Sequence, residues 1–394
     1  MRFNTTITLM LLISFGSVCA VICTPVLPLI QEYFKISQNT TGNCISYYLV
    51  GYALGQLIYG PLINYFGSRK TTIIGITTGI VGGILCILSS LLHQFDLMLV
   101  GRVIMALGAG SGLTLAFAIC SKLSSSENIG RSIGILSIAF AIMPGIGIFI
   151  GGLLSQISWV SPFYFAIVYG VITLLLAIQL PEIITELNHQ AIRPSRILTN
   201  YLTQLKNINT VLGGLMVGGA TTIIYAFAAL APFMTQGTIM QLTPQQYGKY
   251  NFIPVIGMII GSIIANQMGR YISKTSILKI GLILSFICSL ILAMSMYFAP
   301  SNPLSLFIPT GLVYIGLTLI FSNGSAIALS KNQDKSNASA VLNFVNMGCA
   351  VIVIEILESS TTHNNLTLPL LFIIISLMIG AFFATLNYVT KIRH

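Results

Sequence analysis

The sequence predicts an all-α integral membrane protein of twelve transmembrane helices, arranged as two six-helix pseudo-repeats. Of its 394 residues, 55% are hydrophobic and only 7% are charged, whereas soluble proteins carry about 25% charged residues. So few charges cannot cover a soluble globule, and the high hydrophobicity excludes a disordered chain. Apolar runs of about 20 residues, such as residues 72–92, fit helical spans better than the alternating strands of a transmembrane barrel.

Polar breaks between the apolar runs give twelve predicted spans joined by short loops. We expect the first run to remain as a helix, because it is too long for a signal-peptide core and lacks a small-residue cleavage site. The one long connection, residues 181–207, predicts a cytoplasmic linker between an N-terminal half at 1–180 and a C-terminal half at 208–394. The predicted spans are 6–30, 44–64, 71–91, 97–120, 131–155, 160–180, 208–234, 248–270, 276–299, 304–329, 339–357 and 367–390.

A degenerate repeat supports this division into halves. Pro28 and Pro232 lie toward the end of the first span of each half, and Gly75 and Gly281 lie early in the third, at offsets of 204 and 206 residues. Parallel six-helix repeats occur in transporters whose halves enclose a site near the bilayer midplane. The repeat therefore indicates an alternating-access carrier.

Lysine and arginine are distributed unevenly between the two predicted membrane faces. If both termini are cytoplasmic, only Lys35 and Lys249 fall on the outer side, as the positive-inside rule requires. The net charge of +10 then faces anionic lipid head groups and needs no nucleic-acid partner. We expect a multi-pass protein of a bacterial inner membrane, in the lipid bilayer as a monomer.

Several motifs carry a family resemblance. Residues 27–30 read Leu-Pro-Leu-Ile, residues 51–56 read Gly-Tyr-Ala-Leu-Gly-Gln, and residues 60–70 read Gly-Pro-Leu-Ile-Asn-Tyr-Phe-Gly-Ser-Arg-Lys. With Arg102 and the stretch at 144–147, they resemble the major facilitator superfamily, and specifically its bicyclomycin-resistance type of multidrug efflux carriers. The resemblance covers nearly the whole chain and implies export of small molecules by rocking of the two halves.

The first cytoplasmic loop supplies candidate gating residues. We expect Gly60 to let two helices approach closely and Gly67 to permit a positive φ in a tight turn, while Arg69 and Lys70 face anionic lipid. In the family, an aspartate of a charge network normally stands at Asn64, so a gate held by ion pairing is not expected at this loop. The alternative is a basic loop that serves topology alone.

The fifth predicted span is rich in small residues. A proline and glycines close together predict either a thin helix that pivots or simple close packing, and both interpretations remain open. In antiporter members of the family, a Gly-Pro pair matches Gly147 and Ile148, so this chain has lost that proline. The candidate hinge residues are Pro144, Gly145, Gly147, Gly151 and Gly152.

Arg102 in the fourth span is the leading candidate for coupling or substrate binding. A charge within the bilayer is costly and must be compensated, so it indicates function. The resemblance implies that this arginine faces the central cavity and takes part in proton coupling. The alternative is an arginine that snorkels to the outer interface.

A proton-coupled carrier needs a carboxylate that binds and releases a proton. The acid that the efflux branch often has in the first span is Val21 in this chain. Glu355 in the eleventh span and Glu32 at the outer end of the first are the remaining candidates, and both could instead be interfacial. We therefore expect protons as a partner, although the usual carboxylate of the first span is absent.

Polar side chains at membrane depth are candidates for substrate contact. Tyr48, Tyr52 and Gln56 follow one helical stripe, which suits an amphipathic or cationic ligand or packs against a neighbouring helix. Interhelical hydrogen bonding is the alternative role for the others. These are Tyr225, Asn323, Asn343 and Asn346.

No metal, cofactor or catalytic centre is predicted. The seven cysteines lie in or beside apolar spans without a Cys-x-x-Cys pair, and the four histidines lack ligand spacing. The favoured function is efflux of small amphipathic compounds by proton antiport, and the chain is not expected to be an enzyme. The alternatives are a uniporter or importer of a small, anionic metabolite that Arg102 binds, and a receptor or scaffold derived from a carrier.

Overall fold

The computed structural model describes residues 3–123, 129–184, 186–188, 191–330, 332, 335–359 and 364–392, which leaves positions 185, 189 and 190 of the predicted linker outside the described residues. Within these ranges the chain is helical and contains no strand. The helices are α1 (Phe3–Val21), α2 (Leu27–Phe34), α3 (Gln38–Phe66), α4 (Ser68–Leu92), α5 (Phe95–Leu123), α6 (Ile129–Leu154), α7 (Ser161–Ala177), α8 (Pro194–Leu205), α9 (Ile208–Gln236), α10 (Pro244–Tyr250), α11 (Phe252–Met268), α12 (Lys274–Phe298), α13 (Pro303–Ser330), α14 (Lys335–Ser359) and α15 (Thr367–Ile392).

The predicted all-α multi-pass architecture is confirmed. In the described ranges, nine helical segments are long and apolar enough to cross a membrane. Helix α3 is long enough but is less apolar because of its tyrosines and amides, and α6 and α7 supply the shorter apolar stretches Ile142–Leu154 and Ser161–Ala177. With these three, the described helices account for all twelve predicted spans.

The first span is interrupted, whereas the sequence predicted one continuous run at 6–30. Helix α1 ends at Val21, a 3-10 turn follows at Thr24–Val26, and α2 begins at Leu27. Pro25 and Pro28 lack backbone N–H groups, so two hydrogen bonds of a regular helix are missing where this span is interrupted. Carbonyls in the last turn of α1 therefore need other donors.

Helix α1 lies at the centre of the first half. Leu12 of α1 is completely buried in one apolar cluster with Leu115 of α5 and Leu136 of α6. Phe15 stacks on Tyr169 of α7, with ring centroids 6.0 Å apart. Because α1 contacts three other helices of this half, the position of its break affects them all.

The chain divides into two compact units, Met1–Ile36 with Asn43–Asn200 and Ser37–Gly42 with Tyr201–His394. In the first unit, α1 packs against α5, α6 and α7, and α4 packs against α5 and α7. In the second, α9 packs against α13, α14 and α15, and α12 packs against α13 and α15. The same pairing recurs with every helix replaced by the one eight later, which confirms the six-helix pseudo-repeat.

Glycine builds the same helix crossing in both units. A Cβ atom at Gly108 of α5 would overlap the backbone of α4 at Gly75, and one at Gly316 of α13 would overlap α12 at Gly281 and Ser285. Small residues allow membrane helices to approach this closely. The repeat is therefore present in the packing as well as in the sequence.

Candidate functional site

Arg102 lies wholly inside the first unit. Its side chain on α5 is 0% exposed. Nε donates to the carbonyl of Cys44 at 2.9 Å, and the two terminal nitrogens donate to the carbonyls of Cys19 at 2.7 Å and Ala20 at 2.9 Å. The guanidinium carbon also lies 4.3 Å from the centre of the Tyr48 ring.

These contacts compensate the charge through backbone dipoles. Cys19 and Ala20 belong to the last turn of α1, where carbonyls lack helical donors and the helix dipole is negative. The Tyr48 ring adds a favourable cation–π contact. Arg102 therefore caps the broken first helix and joins it to α3 and α5.

The structure decides between some of the expectations for Arg102. An arginine that snorkels to the outer interface would be exposed, so that interpretation is wrong for the conformation described. The donors of the fork are also engaged by the backbone, which leaves little capacity for a ligand. A role in proton coupling stays a prediction.

The α3 stripe packs mainly against α1. Tyr48 and Tyr52 are 1% and 2% exposed, and the Tyr48 hydroxyl donates to the carbonyl of Gly16 at 2.7 Å. The Tyr52 ring lies so close to Gly16 that a Cβ atom there would sit 2.9 Å from it. For the two tyrosines, these contacts favour helix packing over substrate binding.

Gln56 differs from the tyrosines of its stripe. It is 3% exposed, and neither atom of its amide has a hydrogen-bond partner among the described residues. A buried polar group without a partner costs about 1–3 kcal/mol. Such a group is expected only where a ligand, a water molecule or another conformation satisfies it.

The second unit contains a comparable amide. Asn346 of α14 is 1% exposed, and neither of its amide atoms is paired within the described part of the chain. Asn323 of α13 instead donates to the carbonyl of Leu319 at 3.0 Å, in agreement with a structural role. Asn343 and Tyr225 are half-buried.

The candidate proton carriers lie at the surface. Glu32 on α2 and Glu355 on α14 are both exposed. The structure therefore does not bring either carboxylate to Arg102, which is fully buried. Their role in coupling stays a prediction.

The turn between α3 and α4 is contacted by a carboxylate that the sequence analysis did not identify. Glu182, from the predicted linker, accepts hydrogen bonds from the backbone N–H of Ser68 at 2.7 Å, the Ser68 hydroxyl at 2.6 Å and the Arg69 N–H at 3.1 Å. It thereby occupies the N-terminus of α4, where a negative charge is favourable. Its position just after the sixth predicted span is the one signal in the sequence, and this signal does not show which backbone N–H groups the carboxylate meets.

The electrostatics of Glu182 favour its ionised form. Partial burial raises its pKa, but the hydrogen bonds from Ser68, Ile184 and Arg69 more than offset this effect and lower the pKa to about 2. The predicted positive φ of Gly67 is confirmed at 85°. A Cβ atom there would lie 2.7 Å from the Glu182 carboxylate. The carboxylate can approach this turn because glycine has no side chain.

The other loop candidates lie around this contact. Arg69 Nε donates to the carbonyl of Leu180 at 2.8 Å, and the exposed Asn64 side chain donates to the carbonyl of Gly60 at 3.3 Å. Lys70 is exposed. Asn64 thus bonds within its own helix, and the loop is held by Glu182 and Arg69.

The prediction for Gly60 is wrong. No atom of the described residues lies within 4 Å of a Cβ placed at Gly60, whereas Gly51 and Gly55 of the same helix press against the backbone of α5. Gly51 and Gly60 are nine residues apart, about 180° around a helix. Gly60 therefore lies on the face of α3 that points away from α5.

The small residues of the fifth span also approach α1. Helix α6 is continuous through Pro144, and a Cβ atom at Gly147 or Gly151 would press against Val18 or Ile22. Close packing explains these two glycines. A hinge role for Pro144 stays a prediction, as it does for Gly145 and Gly152, which are also buried.

The described residues contain no group of histidine, cysteine or carboxylate side chains that could hold a metal ion. Six of the seven cysteines are buried and Cys349 is half-buried. They contribute to packing as small apolar side chains.

Comparisons with known proteins agree with this architecture. The family model described as Major Facilitator Superfamily matches residues 9–354. Multidrug resistance protein D of Escherichia coli (strain K12) is 21% identical, over 81% of this chain and 79% of that protein. The bicyclomycin resistance protein homolog of Haemophilus influenzae is also 21% identical, over 66% of this chain and 64% of that protein.

A solved structure shares the fold. The partially occluded, inward-open xylose transporter XylE from E. coli matches with a TM-score of 0.76 at 13% identity, over 97% of each chain. The multidrug and bicyclomycin relatives bear out the resemblance to the bicyclomycin-resistance type. Because the family match spans most of the sequence and the fold agrees with it, the chain belongs to the major facilitator superfamily, a family of membrane transporters and not of enzymes.

Proposed function

We propose that this transporter exports small amphipathic compounds in exchange for protons. The observation that carries the proposal is a pair of buried neutral amides, Gln56 in the first unit and Asn346 in the second, whose polar atoms have no partners among the described residues. The other residues of the two helices that carry these amides are mainly apolar. A polar group on a largely apolar ligand would satisfy such an amide in either unit.

The names of relatives support the same substrate class. Multidrug resistance protein D and the bicyclomycin resistance protein homolog are named for resistance to drugs. An importer of an anionic metabolite is less well supported, because Arg102 donates to three backbone carbonyls and has little capacity left for an anion. We further propose that residues 1–180 and 208–394 move as the two halves, joined by residues 181–207.

Flux measurements test the proposal directly. The full chain in proteoliposomes should move amphipathic cations or neutral drugs against their gradient when a pH gradient is imposed, and should cease to concentrate them when the gradient is collapsed. Flux that ignores the pH gradient would indicate a uniporter. No flux of any drug or small metabolite would favour a receptor or scaffold.

The proton carrier is tested by separate substitutions. Glu355→Gln and Glu32→Gln keep the shape of the side chain but cannot ionise, so loss of the carrier should abolish uphill export and preserve downhill exchange. Glu186→Gln is the matched control, since this carboxylate is exposed in the linker. If neither Glu355→Gln nor Glu32→Gln changes coupling, we would reject both as proton carriers.

We also propose that the protein lies in a bacterial inner membrane with both termini in the cytoplasm. Cysteines placed at Ser195 and Thr238, both exposed, are separated by the rest of α8 and by one predicted span, α9. An impermeant reagent should label position 238 from outside the cell and position 195 only after the membrane is opened. Labelling of both positions from the same side would contradict the topology.

A further inference from the structure

Helix α8 in the linker has a composition unlike that of the spans. Its sequence from Pro194 to Leu205 contains apolar, hydroxyl and amide side chains, one arginine and no acidic residue. Leu198, Leu202 and Leu205 are spaced by four and three residues, so they form one stripe along the helix. At 12 residues the helix is about 18 Å long, too short to span a bilayer.

The leucine stripe faces away from the protein. Leu198, Leu202 and Leu205 are 60%, 45% and 41% exposed. Gln204, about 200° around the helix from Leu202, is only 9% exposed. A helix packed on a soluble domain buries its apolar face, and α8 has the reverse arrangement.

Basic residues accompany the stripe. Arg193 and Arg196 lie at the start of α8 and Lys206 follows its end, and residues 191–207 contain no acidic residue. Amphipathic helices of low overall hydrophobicity with Lys and Arg beside an apolar face lie in the plane of a membrane interface. Each base near an anionic surface strengthens binding by roughly fivefold.

We infer that α8 binds the anionic lipid surface of the membrane in which the protein is embedded, with its leucine stripe in the acyl boundary and its bases at the head groups. The chain passes from one compact unit to the other within this helix, between Asn200 and Tyr201. Lipid composition would thereby act on the segment that joins the two halves. The inference rests on the cytoplasmic placement of the linker proposed above.

The test uses an environment-sensitive dye on the full chain in nanodiscs that hold one copy. Leu202→Cys and Thr203→Cys place the dye on neighbouring residues about 100° apart, in a Cys349→Ala background because the other native cysteines are buried. Lipids with brominated acyl chains should quench the dye at 202 severalfold more than at 203. Discs containing phosphatidylglycerol should increase this quenching over discs of phosphatidylcholine alone.

Charge variants identify the source of the lipid dependence. Replacing Arg193, Arg196 and Lys206 by glutamine should remove the effect of phosphatidylglycerol. Replacing Arg270, Lys274 and Lys279, which lie on the same predicted membrane face, should leave it intact. Equal quenching at 202 and 203, or no effect of anionic lipid, would overturn the inference.

Two further outcomes are distinguishable. Quenching at 202 that appears only in discs holding two copies would mean that the stripe binds a second copy of the chain, which would also overturn the inference. The dye reports binding of α8 to lipid in the absence of substrate and of a pH gradient. It does so whichever face of the disc the helix lies on. Its failure would therefore be separate from failure of the proposed export function.

Discussion

Helices α5 and α13 occupy equivalent positions in the two halves but bury different chemistry. Gly108 and Gly316 mark the same crossing in each half, and the residues six positions earlier are Arg102 and Thr310. Both side chains are 0% exposed. Arg102 donates to the backbone of α1 and α3, whereas the Thr310 hydroxyl donates to Leu306 of its own helix at 2.7 Å.

This difference shows how the repeat has been specialised. The first half buries a full charge and neutralises it with carbonyls that a proline-broken helix exposes. Among the described residues, the second half buries only neutral polar side chains. A threonine that bonds its own helix needs no partner helix, so Thr310 imposes no requirement on α9. The first half therefore contains a buried charge that joins three helices, and no charged side chain is buried in the described part of the second half.

Removing the charge should have the largest effect. Arg102→Ala leaves three buried carbonyls without their donor, so we expect stability to fall by about 3 kcal/mol or more and flux to be abolished. Arg102→Lys should recover part of both, because an ammonium cannot reproduce the planar fork. Thr310→Val is the control in the other half and should cost about 1 kcal/mol or less. Thermal unfolding in detergent measures the loss of stability, and substrate flux measures the loss of transport. Equal losses in Arg102→Ala and Thr310→Val would contradict the comparison.

Substituting the glycine at the helix crossing should reduce stability by similar amounts in the two halves. Gly108→Ala and Gly316→Ala each force a methyl group into the neighbouring helix, so we expect a loss of about 1–3 kcal/mol. Gly60→Ala and Gly348→Ala are the controls, since none of the residues that the structure describes lies within 4 Å of their Cβ positions. Thermal unfolding measures all four. A neutral Gly316→Ala with a damaging Gly108→Ala would show that the second crossing can relax.

The unpaired amides should change function in the opposite direction from stability. Gln56→Leu and Asn346→Leu remove a buried polar group that has no partner among the described residues, so stability should stay level or rise by about 1 kcal/mol. Drug flux should fall if these amides bind substrate. Asn323→Leu is the control, because its amide is already paired. Unchanged flux in both test variants would remove these amides from the proposed site.

The smallest effect is expected at Glu182 and depends on pH. The carboxylate contributes its stability above its ordinary pKa of 4.5 and loses it as pH falls toward 2, because its pKa is lowered in the folded state. Glu182→Gln should cost about 0.5–1 kcal/mol at pH 7, as an exposed helix-capping group. The difference in unfolding temperature from the unmodified chain should shrink below pH 4.5. Glu186→Gln, at an exposed carboxylate of the same segment, is the control and should leave the unfolding temperature at pH 7 unchanged.

The candidate site was predictable in part. Arg102 was found because a charge in an apolar span must be compensated, but its partners could not be predicted, since backbone carbonyls carry no sequence signal. Glu182 was missed because the two ends of its contact, Ser68 and Glu182, are separated by 114 residues. Gly60 was misjudged because one helix has two opposite faces, and sequence spacing alone does not say which face meets a neighbour.

Composition, the length of the apolar runs and the offsets between prolines and glycines determined the membrane class, the number of spans and the repeat. These properties follow from local rules, because a bilayer requires every spanning segment to be apolar and to satisfy its own backbone. Only the tertiary structure decided that the first span is broken, that its carbonyls accept hydrogen bonds from Arg102, and that the amides of Gln56 and Asn346 find no partner among the described residues. Those outcomes depend on which groups from distant segments meet in space, and the sequence of any one segment does not contain that information.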